Sequence, residues 1–413
     1  MTTPNTQLRH AREYLCLSRQ ELAEQVNAVI WTRHSVRAEL DANYIGKLER
    51  GVITWPGDQY REAVRTILRT STDTELGFRN TRRALVPPFP EPVGGPTHPE
   101  SPLHGATVVD ERHVQEILGA ADMFHRCFQV HGGWSMRAAA LAQMHWSAQL
   151  IRADVPHHLA SALYGAVASL AHICGFMSFD TGDHCETRRI FRFALSCADK
   201  AADWHAQVII LASMSRHATW TGRFDEGLLL AEHALEQVDR LTATEQAMLR
   251  TARAKALAAT QRTSEALRTI GTADEDFSRA DPDNDPPWMR FYDLAQHSSD
   301  TAEAFMYLNA AGYRTAETRI RFEAAYYGHG DHYACSRAIA HAKLASAVLA
   351  TEDPAEGAMI GQAALKTAGT IRSALISDSL RTLDQHAARH RGVREAKSLR
   401  EQLSTRLTPA HSD

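Results

Sequence analysis

The chain is short of cysteine, lysine, glycine and proline, and these shortages narrow what it can be. Six cysteines stand at positions 16, 127, 174, 185, 197 and 335 of 413 residues, with no CxxC pair. That spacing excludes a disulfide scaffold and a zinc ribbon. Glycine (23) and proline (15) are too few for a collagen-like repeat or a long flexible tract. Charge of one sign is missing too, with 45 basic residues against 49 acidic ones and a net of −4. A uniformly basic nucleic-acid coat is therefore excluded, while a local basic module is not. Lysine numbers 6 against 39 arginines, a bias of genome composition rather than of fold. The start, MTTPNTQLRHAREY, holds no apolar signal core, which predicts a cytoplasmic protein. Residues 159–179 carry no Asp, Glu, Lys or Arg and are long enough to span a bilayer. Three serines, His172, two glycines and the lack of a basic flank favour a buried helical hairpin there and no membrane partner.

What is present is ordinary globular material, 44% hydrophobic and 23% charged. Residues 1–84 hold 13 basic and 10 acidic residues, a net of +3, and the remainder nets −7. Between these zones VPPFPEPVGGPTHPESP (86–102) defeats a packed core, so 85–108 reads as a linker. From 109 to 408 Ala, Leu, Arg and Glu dominate and apolar residues recur at i, i+3 and i+4, which predicts helices throughout.

That zone also repeats. TGDHCETRRIFRFAL and TGRFDEGLLLAEHAL place Gly182 and Gly222 at the same point, with a small residue five positions on. Gln261 takes the place next, then Gly312, then Glu352 ahead of Gly357, at intervals of 40, 39, 51 and 40. The long interval contains the loop-like DPDNDPP (281–287). A period near 40 with one turn per unit predicts stacked helix pairs whose apolar faces are buried by their neighbours. The stretch GRFDEGLLLAEHAL (222–235) resembles the second half of a tetratricopeptide repeat. The first-helix Trp and Leu are mostly missing and the period is long, so these would be degenerate repeats.

The N-terminal zone carries the sharpest pattern. LRHAREYLCLSRQELAEQVN (8–27) reads as helix, turn, helix, with Leu8, Ala11 and Leu15 on one face and Leu22, Ala23 and Val26 on the next. Ser18 with Glu21 forms a capping box. LDANYIGKLERG (40–51) gives a short helix capped by Asp41, with Ile45 and Leu48 inward and Gly51 ending it. Residues 55–68 and 72–78 predict two further helices. The segments LSRQELAEQV (17–26) and IGKLERG (45–51) resemble the Xre family of repressor/Cro-type helix-turn-helix domains. Two departures stand out: AVIWTRHSVRAEL (28–40) inserts about ten residues between the second and third helices, and Cys16 replaces the usual Gly.

The resemblance implies that the third helix enters a major groove. Ala42, Asn43, Tyr44, Gly46 and Lys47 would then face outward, with Asn43 suited to an adenine edge and Lys47 to guanine or phosphate. Arg19 and Gln20, at the start of the second helix, would meet the DNA backbone. Arg12 and Glu49 would form a buried ion pair. Arg33, His34 and Arg37 in the insertion are expected either as a basic flap over the phosphates or as solvated loop charges. A net of only +3 leaves open a domain that docks protein instead of DNA.

No other constellation carries chemistry. GHGDHYAC (328–335) gathers ligand-type residues without metal spacing and reads as a loop. DPDND (281–285) fails as a calcium loop, with Pro286 where Gly is needed and Tyr292 where Glu is needed. GWSMR (133–137) is no nucleophile elbow, and no Walker loop, GxGxxG or HExxH occurs. No enzyme, metal or cofactor is expected.

Together these readings predict an all-α chain: a five-helix repressor-like domain (1–84), a linker (85–108) and a tetratricopeptide-like array (109–408). The layout resembles actinobacterial regulators with repeat-type sensor domains, and HGGWSMRAAALAQM (131–144) resembles a segment at the start of such sensors. The implied protein is a homodimer that binds double-stranded operator DNA under control of a peptide or small-molecule effector. Exposed residues of the inner helices would line the effector groove: Tyr164, His172, Trp204, Arg216, Trp220, Arg250 and Tyr307, unless these are ordinary repeat packing. The competing expectation is a protein-interaction adaptor in which the helix-turn-helix is secondary.

Overall fold

Helices account for almost all of the described chain. The computed structural model describes residues 4–14, 17–34, 38, 40–68, 70, 72, 73, 75–78, 108–313 and 316–407, all-α apart from an isolated bridge between Val108 and Asp154. The chain divides into two compact units, 1–102 and 103–413.

The first unit holds α1 (Thr6–Tyr14), α2 (Arg19–His34), α3 (Ala42–Glu49) and α4 (Asp58–Leu68). Ser18 and Glu21 close the expected capping box, Ser18 Oγ accepting from the Glu21 N–H at 3.2 Å and Glu21 Oε2 from the Ser18 N–H at 2.7 Å. Leu8, Leu22, Ala23, Val26, Ile45 and Leu48 are fully buried together. Leu15, Cys16 and most of the linker lie outside the described residues.

Two expectations need correction here. The insertion does not begin at residue 28 as a loop. Residues 28–34 continue α2, because nothing in AVIWTRH breaks a helix and Ile30 finds a fully buried site. The described residues of 72–78 (72, 73 and 75–78) form turns and no helix. Asp73 is taken up by Arg61 and Arg65 of α4, and Gly77 sits at φ +68, a conformation no helix continues through.

The second unit opens with α5 (Glu111–His131) and α6 (Arg137–Leu150). Six helix hairpins follow: α7 (His157–Asp180) with α8 (His184–Ala201), α9 (Trp204–Trp220) with α10 (Phe224–Leu235), and α11 (Ala243–Ala259) with α12 (Thr263–Ser278). The last three pair α13 (Leu294–Ala310) with α14 (Glu317–Gly328), α15 (Ala334–Thr351) with α16 (Pro354–Ala368), and α17 (Ala374–Ala387) with α18 (Arg394–Leu407).

The repeated sequence signal is a repeated turn. Gly182, Gly222, Gln261 and Gly312 all have positive φ, and the residue after each donates its N–H to a carbonyl five positions back. This is the left-handed helix stop that glycine favours and Gln261 adopts under strain. Glu352 stands in the same place but has negative φ, since Asp353 and Pro354 start α16 by an N-cap instead. The small residue five positions on marks close helix approach at three of the five sites. A Cβ on Gly227 would lie 2.4 Å from Thr219 Oγ1, one on Gly357 would lie 2.7 Å from the Leu349 nitrogen, and Ala266 is fully buried.

The apolar run 159–179 is one continuous helix, not the hairpin expected. Neither of its glycines sits in a turn, and Gly175 instead admits the Phe191 ring, whose nearest carbon would be 2.5 Å from a Cβ. By length and composition α7 could cross a membrane, but half of its most apolar stretch is buried in this fold against α5, α6, α8 and α9.

The array closes on itself. α7, α9, α11, α13, α15 and α17 each pack on the next, and then α15 meets α5 and α17 meets α7. At the join the HGG of 131–133 is pinched. A Cβ on Gly132 would lie 2.6 Å from the Arg372 carbonyl oxygen, and one on Gly133 2.6 Å from that of Met177. Only glycines fit between these backbones.

Candidate functional site

The exposed face of α3 is built on a buried charge. Glu49 accepts from Arg12 Nε at 2.6 Å through one oxygen and from Arg19 Nε at 2.7 Å through the other. Burial works to raise the Glu49 pKa, but the two guanidiniums prevail and hold its carboxyl below the usual range. Asp41 caps α3 by accepting from the Tyr44 N–H at 2.7 Å. The Asn27 side chain holds the Leu40 backbone with two hydrogen bonds, at 2.9 and 3.0 Å, which fixes the approach to that cap.

Asn43 and Lys47 lie one turn apart on α3 and are exposed, and Ala42 and Tyr44 are half-buried, Tyr44 against Tyr60. Gly46 does not face outward as expected. It is buried beneath Arg50, whose guanidinium nitrogen would lie 3.0 Å from a Cβ there. Arg19 is bound to Glu49, so less of its guanidinium is free than the resemblance implied. Gln20 is exposed and bonded to Glu24. The Arg33 side chain and the whole of Arg37 lie outside the described residues.

In the second unit the inner helices surround a cavity of about 110 Å³. Each contributes one stripe: His172, Phe176 and Asp180 from α7, Ile209, Ser213 and Arg216 from α9, Met248, Ala252 and Lys255 from α11. Gln296 and Asp300 of α13, Ile339 of α15, Leu375 of α17 and Phe128 of α5 complete the wall. The stripes follow from helical spacing, since residues at i, i+3 or i+4 and i+7 share a face. Phe291, from a short 3-10 turn (Pro287–Phe291) in the long repeat interval, also lines the wall beside His125.

A charged cluster sits at one side. Lys255 Nζ lies 2.9 Å from Asp300 and 3.5 Å from Glu303, and Lys343 pairs with Glu303. Burial would raise the pKa of Asp300 and of Glu303. The adjacent cations prevail at both, and both carboxyls are held low. Arg216 comes only to 3.8 Å from Asp300, and its buried Nε has no hydrogen-bond partner. His172 meets Ser213 Oγ at 2.8 Å, and burial depresses its pKa to about 3, so the ring is neutral.

No protein-family model matches the chain, and no curated protein matches it.

Of the seven expected groove residues, His172 and Arg216 line the cavity. Trp220 lies nearby, its indole nitrogen 3.4 Å from Asp378 and its ring under Lys343. The other four are not wall residues. Tyr164 packs against Lys200, and Trp204, the first residue of α9, against Arg240. Arg250 pairs with Asp276 of the adjacent α12, and Tyr307 packs on Phe224. Bulk and polarity selected them, and their partners on neighbouring helices hold them outside the cavity wall.

Sequence reasoning missed Lys255, Asp300, Glu303 and Lys343. The signal existed. Phe176, Arg216 and Lys255 each stand six residues before the turn residues 182, 222 and 261, and Glu303 and Lys343 nine before 312 and 352. Charges inside otherwise apolar first helices, at repeat-equivalent positions, mark a shared interior. The GHGDHYAC stretch is a loop only up to Gly330. Residues Asp331–Tyr333 form a 3-10 turn, and Cys335 is already in α15, donating to the Phe128 carbonyl at 3.3 Å. Among the described residues no group of three His, Cys, Asp or Glu could hold a metal.

Proposed function

We propose that the chain is a sequence-reading DNA-binding regulator of Xre type, acting as a homodimer, whose tetratricopeptide-like second unit holds an effector inside its ring. The observation that carries this reading is the α3 face. Asn43 and Lys47 stand exposed one turn apart on a helix whose start is fixed by Asp41 and whose end is fixed by the Arg12–Glu49–Arg19 bridge. An amide and an ammonium at i, i+4 suit base edges and phosphate in a major groove. The small, partly open cavity inside the ring supports a small effector. In this reading ligand binding biases the ring between two states that present the DNA-binding units differently.

Selection of bound sequences from a random DNA pool by full-length protein, at near-physiological salt, tests the reading. An enriched inverted repeat that is lost in the Asn43→Ala/Lys47→Ala variant, with helicity intact, supports it. No enrichment, or full retention in the variant, sinks it. The second reading, a protein-interaction adaptor, is favoured by the exposed apolar side chains Leu229, Ile320, Tyr327 and Met359 on α10, α14 and α16. It gains if the variant leaves function unchanged.

A further inference from the structure

One cation of the ring interior lacks a hydrogen-bonded anion. Arg216, Lys255 and Lys343 face Asp300 and Glu303, and each lysine already has a carboxylate within hydrogen-bonding distance. Arg216 is the cation left over. Its guanidinium makes no hydrogen bond among the described residues, although it offers five N–H donors, and it lines the cavity. Its Nε is buried without an acceptor, which is costly, so a fold that keeps such a group has a use for it. The other ionisable wall residues do not hydrogen-bond to it. Asp180 is engaged by the Gly133 N–H and the Ser373 hydroxyl, and His125 and His172 are cations or neutral, never anions.

The rest of the wall is apolar: Phe128, Phe176, Phe291, Ile209, Met248 and Ile339. The volume, about 110 Å³, is of the order that takes one ring-sized molecule. Asp180 and Asp300 on the same wall would repel a second negative charge on a ligand.

We propose that the ring binds a small monocarboxylic acid with a compact aromatic or branched body, its carboxylate forked onto Arg216 and its body among the three phenylalanines. Paired N–H donors on a guanidinium match a carboxylate in geometry and charge. The proposal deepens the effector half of the reading above and rests on it.

The test uses full-length protein and three acids, benzoate, phenylacetate and 4-methylpentanoate, each against its own primary amide, by isothermal titration calorimetry. At least one acid should bind about tenfold or more tightly than its amide, the scale of a charge-assisted pair over a neutral one. Arg216→Gln should reduce that acid to the level of its amide, and Arg216→Lys should recover part of the preference. Unliganded Arg216→Gln should melt only slightly below the wild type, because the 3.8 Å ion pair to Asp300 is lost but no hydrogen bond is. Acids no tighter than their amides across the set, or an acid preference that survives in Arg216→Gln, would overturn the proposal. So would a large drop in melting temperature for both variants, which would make Arg216 a structural group. DNA selection on the same preparations separates the two ideas. Acid binding without DNA enrichment removes the regulatory reading and leaves this site standing, and enrichment without acid binding does the reverse.

Discussion

The Ser373 hydroxyl donates to Asp180 Oδ1 at 2.5 Å across 193 residues of chain, and the Gly133 N–H donates to the other oxygen at 2.7 Å. This carboxylate joins the start, the first hairpin and the last hairpin of the array. An open array of helix pairs would leave its terminal apolar faces to solvent. Here α5 and α7 are covered by α15 and α17 instead. Ser373 also caps α17, accepting from the Ile376 N–H at 3.1 Å. Ser373→Ala therefore removes a cap and a buried donor together, and should destabilise the second unit by about 2–4 kcal/mol. Urea unfolding of the full chain checks this, with hydrogen exchange expected to rise first in α17.

Burial pushes the Asp180 carboxyl up to about 6, against the Ser373 and Gly133 hydrogen bonds that favour its charged form. An acid whose folded pKa is raised contributes stability below its unfolded pKa and loses it as pH rises through the folded value. Asp180 should thus contribute most near pH 4 and lose about 2–3 kcal/mol by pH 7. The difference in unfolding free energy between wild type and Asp180→Asn, measured from pH 4.5 to 7.5, isolates this from the histidines. A difference that stays flat across that range contradicts the assignment.

Glu49 is the single anion between Arg12 and Arg19 in the first unit. Glu49→Gln leaves the buried Arg12 only the half-exposed Glu13, at 3.4 Å, as a charge partner and should cost about 3 kcal/mol. Arg19 adds little to that figure because it is partly solvated. Hydrogen exchange by mass spectrometry should show α1 and α3 losing protection while the second unit stays unchanged. Glu49→Leu combined with Arg12→Met should recover much of the loss. Protection unchanged in Glu49→Gln would show that the bridge does not hold α3.

Gln261 has φ +63 at a turn where Gly182, Gly222 and Gly312 share the left-handed conformation. Gln261→Gly should stabilise the protein by about 0.5–1 kcal/mol, the relief of left-handed strain exceeding the added chain entropy. Gly357→Ala should do the opposite by about 1–3 kcal/mol, since its Cβ meets the Leu349 backbone. Thermal unfolding of both variants gives the signs directly.

Much of the local structure was legible from residue order. Capping boxes, helix stops and the 40-residue interval act within a few residues of the chain, so Ser18–Glu21, Asp41 and the turns at 182, 222, 261 and 312 could be read directly. Errors came where local signals were weak or overridden. The insertion after residue 27 lacks a breaker and simply extended α2. The 72–78 segment had helical composition, but Arg61 and Arg65 claimed its aspartate. Gly46 looked exposed until the Arg50 side chain was placed over it.

By itself the sequence determined the helices, their pairing across short turns and the separation of a slightly basic first unit from an acidic repeat zone. Each of these is set by hydrogen bonds and hydrophobic phase within about 40 residues. Only the tertiary structure decided that the array closes, because the closing contacts join residues nearly 200 positions apart with no local periodicity to announce them. The same closure decided which charges share one interior. Arg216, Lys255, Asp300, Glu303 and Lys343 lie on four helices, and their meeting depends on the curvature summed over every hairpin between them.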